Sequence, residues 1–124
     1  MFIKNCNIIY LDKIENSSIL VEDGKIKEIN PISSNYDDIL DANGLYISPG
    51  FIDVHIHGAG GYDTMDGTVE AINTIAKTIV KHGTTSFKQT TMTVSIKDIN
   101  KSMKVIKKLK EEGSEGTNVL GKEI

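Results

Sequence analysis

Residues 49–58 read PGFIDVHIHG, and the expectations for fold and for function both start from this segment. Residues 51–57 have the composition of a buried strand. Side chains alternate between the two faces of a strand, so Asp53, His55 and His57 are predicted to share one face. Two imidazoles on one face lie about 7 Å apart along the strand and can bind one metal ion once they tilt together. The segment therefore predicts a strand that ends in a pair of metal-binding histidines.

The histidine pair also has a simpler interpretation, in which the two residues lie close in sequence by chance and are satisfied within a protein core. Metal binding is the favoured hypothesis because ionisable groups inside an otherwise apolar strand are costly unless they are paired or bound to metal. Gly58 opens the end of the strand, where parallel β/α folds place their active sites. Two roles stay open for Asp53, which either orients an imidazole or forms a structural salt bridge.

The segment before this strand, residues 1–48, is rich in β-branched residues and in turn signals. Asp-Gly at 23–24 and Asn-Gly at 43–44 tolerate the positive φ angles of tight turns, and each pair is predicted to close a β-hairpin. Residues 30–38 are polar and contain Pro31, which predicts a loop. Hairpins of this kind indicate a first domain built from strands.

The pattern changes at Pro49-Gly50, where the domain boundary is predicted. The elements predicted after it are a strand at 51–57, a glycine-rich loop at 58–67, a helix at 68–82 that Gly83 ends, a strand at 84–91, a helix at 95–110 and a strand from Asn118. The predicted apolar stripes are Val69, Ile72, Ile75, Ala76, Ile79 and Val80 in the first helix and Ile96, Ile99, Met103, Ile106 and Leu109 in the second. Two βα units followed by a third strand indicate an α/β fold with parallel strands.

Length and composition exclude several classes of protein. The chain has 124 residues, whereas a closed eight-stranded α/β barrel takes about 250. A net charge of -3 offers no broad basic field for nucleic acid, and the apolar runs are too short to cross a membrane. The lysines of the second helix are predicted to form a solvated face. Cys6 is the single cysteine, which excludes a disulfide framework and favours a reducing, cytoplasmic location.

Three stretches resemble a known family. Asp41 and Gly44, followed by ISPGFIDVHIHG at 47–58, resemble the signature of the amidohydrolase superfamily. Within that superfamily, GAGGYDTMD at 58–66 and HGTTSF at 82–87 are similar to N-acetylglucosamine-6-phosphate deacetylases. The resemblance extends over nearly the whole chain. It implies that residues 1–48 are part of a small β-sandwich domain and that residues 49–124 are the first two βα units and the start of the third strand of a metal-dependent (β/α)8 barrel.

The resemblance also implies an activity. Enzymes of this family hydrolyse the acetamide of N-acetylglucosamine 6-phosphate to glucosamine 6-phosphate and acetate, with a hydroxide held on one or two divalent metal ions. His55 and His57 match the metal pair of the first barrel strand, and zinc is the expected metal. The implied partners are an amino-sugar phosphate substrate and a second copy of the complete protein, as a homodimer. Self-association is expected for this chain as well.

The sequence departs from the family pattern at two places. The chain ends Lys122-Glu123-Ile124, and Glu123 stands where the family has a histidine shortly before a metal-binding glutamate. Lys88-Gln89 stands where the family has an apolar residue and a proline. The general base and the remaining metal ligands have no counterpart in these 124 residues. The chain is therefore expected to be an N-terminal portion, truncated after about two βα units and inactive alone.

Two other functions remain as alternatives. Dihydroorotases and hydantoinases belong to the same superfamily but carry an arginine two residues after the second histidine, where Ala59 stands here. The other alternative is a non-catalytic truncated chain or an interaction module that uses an exposed barrel edge. Incomplete metal ligation favours this second alternative for the isolated chain.

Several polar residues near the motif are predicted to have structural roles. His82 is interpreted as a residue of the helix C-terminus, which the helix dipole favours, rather than as a ligand. Asp63 and Asp66 are predicted to cap a helix or shape the loop. The hydroxyl run Thr84-Thr85-Ser86 is typical of a strand, and its side chains are candidates to line the pocket.

Overall fold

The computed structural model describes residues 1–32 and 35–123, and the chain divides into two compact units, Met1–Pro49 and Gly50–Ile124. Within the described residues the first unit contains five strands: β1 (Phe2–Ile9), β2 (Ile14–Glu22), β3 (Lys25–Ile29), β4 (Ile39–Asp41) and β5 (Tyr46–Ile47). Ser33 and Ser34, in the loop predicted at 30–38, lie outside the described residues. The core cluster of this unit consists of the buried residues Ile3, Cys6, Ile8, Ile19 and Ala42.

One sheet contains all of these strands, in the order β3-β2-β1-β4, and β5 also pairs with β1. The first predicted hairpin is confirmed, because β2 and β3 are antiparallel and Asp23 and Gly24 between them have φ angles of 49° and 70°. The β1–β2 pair is antiparallel as well.

The second predicted hairpin, at Asn43-Gly44, is wrong. Both residues do have positive φ, but β4 and β5 each pair in parallel with β1 and not with each other. The amide of Gly44 donates to the carbonyl of Asn5 at 2.8 Å, and Asn5 is itself a positive-φ residue where the register of β1 shifts. The turn therefore matches a bulge in β1, and the chain continues in the same direction after it.

The second unit places a parallel sheet under two helices. Its elements are β6 (Phe51–Ile56), β7 (Gly58–Ala59), β8 (Tyr62–Asp63), a 3-10 helix (Thr64–Asp66), α1 (Val69–Val80), β9 (Thr84–Thr90), α2 (Ile96–Glu112) and β10 (Asn118–Glu123). The main sheet has the order β10-β9-β6, with parallel pairing throughout, as an α/β fold requires. Both helices pack on the same side of this sheet, around one core of Ile72, Ile75, Ala76, Ile79, Phe87, Ile106, Leu109 and Val119.

Both helices lie within two residues of their predicted bounds. The hydroxyl of Thr68 accepts the Ala71 amide at 3.1 Å at the start of α1, and Gly83 has a φ of 85° just beyond its end. At the start of α2, Ser95 accepts the Asp98 amide at 3.2 Å. Thr68 and Ser95 are therefore the N-cap residues of the two helices, and the helix end predicted at Gly83 is confirmed. In the part of the chain that the structure describes, no helix combines the length and apolar character needed to span a membrane.

The predicted apolar stripes are partly wrong. Val69, Val80 and Ile96 are exposed, with Ile96 at 78%, because each is the first or last residue of its helix and extends past the helix–sheet contact. Ala71 and Ser102 are buried instead. The solvated lysine face of the second helix is confirmed by Lys101, Lys104, Lys107, Lys108 and Lys110, which are all exposed.

Two further expectations about the segment around the histidines are corrected. The strand β6 is mostly exposed: Phe51, Ile52 and Val54 retain 66%, 61% and 56% exposure, because β6 lies at the edge of the described sheet and only Ile56 reaches the core. The glycine-rich loop is an ordered hairpin, β7–β8, followed by the 3-10 helix.

Candidate functional site

The two histidines of the motif lie together at the carboxyl end of β6. Their ring centroids are 5.3 Å apart, and the ring planes meet at 84°. His55 is exposed, whereas His57 is half-buried and its Nδ1 atom is inaccessible and has no hydrogen-bond partner. A buried polar atom without a partner in a native fold calls for an explanation, and a bound ion or an ordered water is one.

The spacing of the rings fits a shared metal ion. Two imidazoles on one tetrahedral Zn²⁺, with Zn–N bonds of about 2.0 Å, place their ring centroids about 5 Å apart. The observed 5.3 Å between His55 and His57 agrees with that value. The donor type agrees too, since imidazole nitrogen is a preferred ligand of zinc. The pair therefore fits two positions of a divalent metal site.

The pair does not complete such a site among the residues that the structure describes. Among the side chains that the structure describes, no group of three or more His, Cys, Asp or Glu residues is placed to hold a metal ion. Catalytic zinc sites use three protein ligands and structural ones four. The described part of the chain therefore supplies two metal donors.

Asp53 contacts the backbone at the first of the two histidines. Its Oδ1 atom accepts a hydrogen bond from the His55 amide at 3.0 Å. The pairing of β6 with β9 is irregular here, because Asp53 pairs with Phe87 and Ile56 with Gln89, so that three steps on β6 match two on β9. This irregularity interrupts the strict alternation that predicted one face for Asp53, His55 and His57.

The segment that follows His57 is fixed by short-range contacts. The Thr64 amide donates to the His57 carbonyl at 2.7 Å. Asp63 accepts the Met65 amide at 2.7 Å, and Asp66 accepts the Asp63 amide at 2.9 Å. The capping interpretation of these two aspartates is confirmed, although they cap the 3-10 helix and not α1.

Sequence reasoning missed a second set of contacts in this segment. The Tyr62 hydroxyl donates to Glu70 Oε1 at 3.1 Å, and this bond, with the nearby negative charge of Glu70, raises the pKa of Tyr62. Gly60 packs so closely on α1 that a Cβ atom there would lie 2.4 Å from Thr78 Oγ1. The glycines at 58 and 60 were the available signal, because close backbone approach is one reason for glycine.

His82 and the hydroxyl run lie at the opposite end of the sheet. His82 is in the last turn of the helical segment, where its amide donates to Ile79 at 3.0 Å, which agrees with the helix-terminus interpretation. Thr84 pairs with Phe51, at the amino ends of β9 and β6. The expectation that Thr84-Thr85-Ser86 lines the pocket is therefore wrong, because in parallel strands the start of one cannot reach the end of its neighbour.

Two polar residues are buried at the carboxyl end of β9, and one of them, Gln89, belongs to the Lys88-Gln89 departure from the family pattern. Gln89 is fully buried with both amide atoms unpaired, and the hydroxyl of Thr90 is buried and unpaired. Gln89 pairs with Ile56, which directly precedes His57. Unpaired buried polar atoms therefore lie at the carboxyl ends of both β6 and β9.

Comparisons with known proteins agree on one family. Residues 46–116 match the sequence pattern described as the Amidohydrolase family. An N-acetylglucosamine-6-phosphate deacetylase from Lysinibacillus sphaericus is 38% identical over 97 residues, which cover 77% of this chain and 25% of that protein. A dihydroorotase from Fusobacterium nucleatum is 31% identical over 118 residues, which cover 87% of this chain and 26% of that protein.

The fold agrees with a solved structure as well. The crystal structure of N-acetylglucosamine-6-phosphate deacetylase from Pasteurella multocida matches with a TM-score of 0.81 and 23% identity, over 94% of this chain and 32% of that chain. This likeness confirms the α/β fold expected from the sequence. The chain spans about a quarter of the length of the curated relatives that it matches.

Proposed function

Because the chain belongs to the amidohydrolase family, we propose that it supplies the first metal-binding strand of an N-acetylglucosamine-6-phosphate deacetylase. The observation that carries this proposal is the 5.3 Å spacing of the His55 and His57 rings at the carboxyl end of β6. The proposed reaction is hydrolysis of the acetamide of N-acetylglucosamine 6-phosphate, which yields glucosamine 6-phosphate and acetate.

The amidohydrolase superfamily is metal-dependent, and we assign His55 and His57 as ligands of one or two divalent ions, with zinc as the proposed metal. A divalent ion at such a site polarises the amide carbonyl and lowers the pKa of water. The histidines fix the position of the ion. The hydrogen bond from Thr64 to the His57 carbonyl fixes the end of the strand that bears them.

The proposal also assigns each of the two units to a part of the family fold. We propose that residues 1–48 are part of the small β domain and residues 49–124 are the first two βα units and third strand of the barrel. The parallel order β10-β9-β6, with both helices on one side, supports the second assignment.

The dihydroorotase alternative is less well supported by the residues after the motif. Ala59, where dihydroorotases carry an arginine that holds a substrate carboxylate, is part of β7 and packs on the core of the second unit. The chain therefore offers no cation at that place. This favours a neutral acetamide over a carboxylate-bearing ring as the group next to the metal.

Two further properties are part of the proposal. A cytoplasmic location is supported by Cys6, a buried free thiol in a chain with one cysteine. Self-association, and a homodimer for the complete family protein, is supported by the exposed apolar residues of β6.

Zinc titration tests the metal assignment. We expect wild-type chain to bind Zn²⁺ weakly, because two donors leave most of the coordination shell to water. His55→Ala and His57→Ala are each expected to abolish binding, while His82→Ala, which removes the third histidine at the far end of the sheet, is the matched control. Binding that survives loss of both His55 and His57 would place the metal elsewhere.

A chimera tests the activity. This chain replaces the matching segment of the Lysinibacillus sphaericus deacetylase, and acetate release from N-acetylglucosamine 6-phosphate is measured beside hydrolysis of dihydroorotate. We expect deacetylase activity that His55→Ala and His57→Ala remove and His82→Ala retains. Turnover of dihydroorotate in place of the sugar phosphate would support the other branch of the family.

A further inference from the structure

The hydrogen bond that Asp53 accepts differs from both of its predicted roles, which were to orient an imidazole or to form a salt bridge. Its carboxylate accepts the backbone amide of His55 at 3.0 Å, so the bond closes on its own strand and spans two residues. Aspartate side chains form such local bonds at turns, where they compete with the regular ladder. Here the bond occurs inside β6, an edge strand of the described sheet.

The bond lies at the second of two places where the pairing of β6 with β9 is irregular, the first being between Phe51 and Ile52. Asp53 pairs with Phe87 and Ile56 with Gln89, so β6 holds one extra residue between these pairs. A bulge of this kind bends the strand and changes the direction of the following side chains. His55 lies within this irregular stretch and His57 follows it, and their rings meet edge to face at 5.3 Å.

We propose that Asp53 is a positioning residue, whose carboxylate holds the His55 amide and thereby maintains the bulge that brings the two imidazoles to metal-binding distance. This inference rests on the proposed metal role of His55 and His57. It assigns to Asp53 the function of a hydrogen-bond acceptor for the backbone. A negative charge is not what the bond requires, because a neutral amide oxygen can accept the same amide proton.

Two variants of Asp53 separate the role of the hydrogen-bond acceptor from that of the negative charge. Asp53→Ala removes the acceptor, and Asp53→Asn keeps an acceptor oxygen and removes the charge. Asp98→Ala is the matched control, since Asp98 is an aspartate of the same unit that bonds the cap residue Ser95 at the start of α2 and lies outside β6.

The first measurement uses the metal-free chain. Amide hydrogen exchange of His55 and the cross-ring nuclear Overhauser effect between His55 and His57 are followed by NMR. In Asp53→Ala we expect exchange at His55 to accelerate by about tenfold or more, since a bond to a charged acceptor is lost, and the cross-ring signal to disappear. Asp53→Asn and Asp98→Ala are expected to keep both. An unchanged cross-ring signal in Asp53→Ala would overturn the proposal.

The second measurement adds metal. Zn²⁺ affinity and the Co²⁺ absorption spectrum are compared across the same variants, with an expected loss of about 10–100-fold in Asp53→Ala and near wild-type values in Asp53→Asn. Equal loss in both variants would show that the charge of Asp53 acts, and would overturn the proposal. Should Asp53→Ala not fold, a loss of affinity in Asp53→Asn alone is enough to overturn the proposal.

The two measurements separate this inference from the proposed function. A wild-type chain that binds no Zn²⁺ contradicts the metal assignment, while the metal-free NMR comparison still decides whether Asp53 positions the rings. Conversely, tight metal binding with an unchanged ring contact in Asp53→Ala would support the metal site and refute the role of Asp53.

Discussion

Asp41 accepts more polar contacts than its exposed position suggests. Both carboxylate oxygens accept the Asn5 side-chain amide at 3.0 Å, the Asn43 amide donates at 2.9 Å, and Lys4 Nζ lies at 3.4 Å. The bond from Asn5, followed by the one from Asn43, holds the pKa of Asp41 below its usual range. Asp41 thereby joins β4 to the bulge of β1.

The low pKa of Asp41 predicts how stability depends on pH. A carboxyl whose folded pKa is depressed stabilises the fold above its unfolded pKa of about 3.9, and this contribution is lost as pH falls through the folded pKa. We expect Asp41→Asn to lower the melting temperature at neutral pH and the difference from wild type to shrink towards pH about 2. Asp12→Asn, at an exposed carboxyl between β1 and β2, is the control. An Asp41→Asn effect that is constant with pH would contradict the prediction.

Cys6 is predicted to be chemically inert in the folded chain. Its side chain is fully buried, Sγ lies 3.3 Å from the Ser17 carbonyl, and burial raises the pKa of the thiol. Thiolate is the reactive form, so we expect iodoacetamide to label Cys6 slowly in buffer and rapidly in denaturant. Mass spectrometry over time measures both rates. Rapid labelling of the folded chain would show that the first unit opens readily.

At the scale of elements, the hairpin after His57 predicts a contrast between two glycines. Gly60 and Gly61 both have positive φ, 64° and 83°, but a Cβ atom at Gly60 meets Thr78 at 2.4 Å and one at Gly61 meets nothing within 4 Å. We expect Gly61→Ala to cost about 1–2 kcal/mol from backbone strain and Gly60→Ala to cost about 1–3 kcal/mol more. Urea denaturation measures the difference. Equal costs would mean that the hairpin does not rest on α1.

The predictable elements were those that local chemistry specifies. Thr68 and Ser95 mark the starts of the two helices and Gly83 marks the end of the first. Their contacts are with residues close in sequence, so the sequence alone located both helices. Asn43-Gly44 fixes only the sign of φ, and the direction of the next strand depends on hydrogen bonds to Asn5, which is distant in sequence.

In the candidate site, too, some features follow from the local sequence and others depend on residues distant in the chain. The spacing of His55 and His57 in the sequence predicts that both side chains come from the end of one strand, and their ring centroids do lie 5.3 Å apart. The bulge at Asp53 depends on how β6 pairs with β9, and the buried amide of Gln89 depends on tertiary packing. Strand alternation carries no information about either.

At the scale of the whole molecule, the apolar surface of β6 predicts self-association. Phe51, Ile52 and Val54 are each more than half exposed on an edge strand of the described sheet. Such edges and patches invite pairing with another chain. We expect light scattering to show an average mass that rises with concentration, and Val54→Lys to reduce this rise. A monodisperse monomer at all concentrations would contradict the prediction.

The isolated chain is predicted to lack deacetylase activity. Only two metal donors, His55 and His57, come together among the described residues, and a catalytic zinc site takes three protein ligands with a base nearby. We expect no acetate release from N-acetylglucosamine 6-phosphate with added Zn²⁺, beyond that of a His55→Ala, His57→Ala double variant. The family enzyme from Lysinibacillus sphaericus serves as the positive control. Metal-dependent release above the double variant would refute the prediction.

The parallel pairing of β1 with β4 and β5 sets an order for events during synthesis. Translation delivers β1 first, and its antiparallel neighbour β2 follows within a few residues, so that one side is covered early. The other edge of β1 stays unpaired until Ile39 pairs with Phe2 and Ile47 pairs with Ile8. Until the ribosome has released that stretch, the nascent chain carries a strand with an open edge, to which another chain can pair. A pause in translation before residue 47 has left the ribosome would lengthen this exposure, whereas a later pause would not.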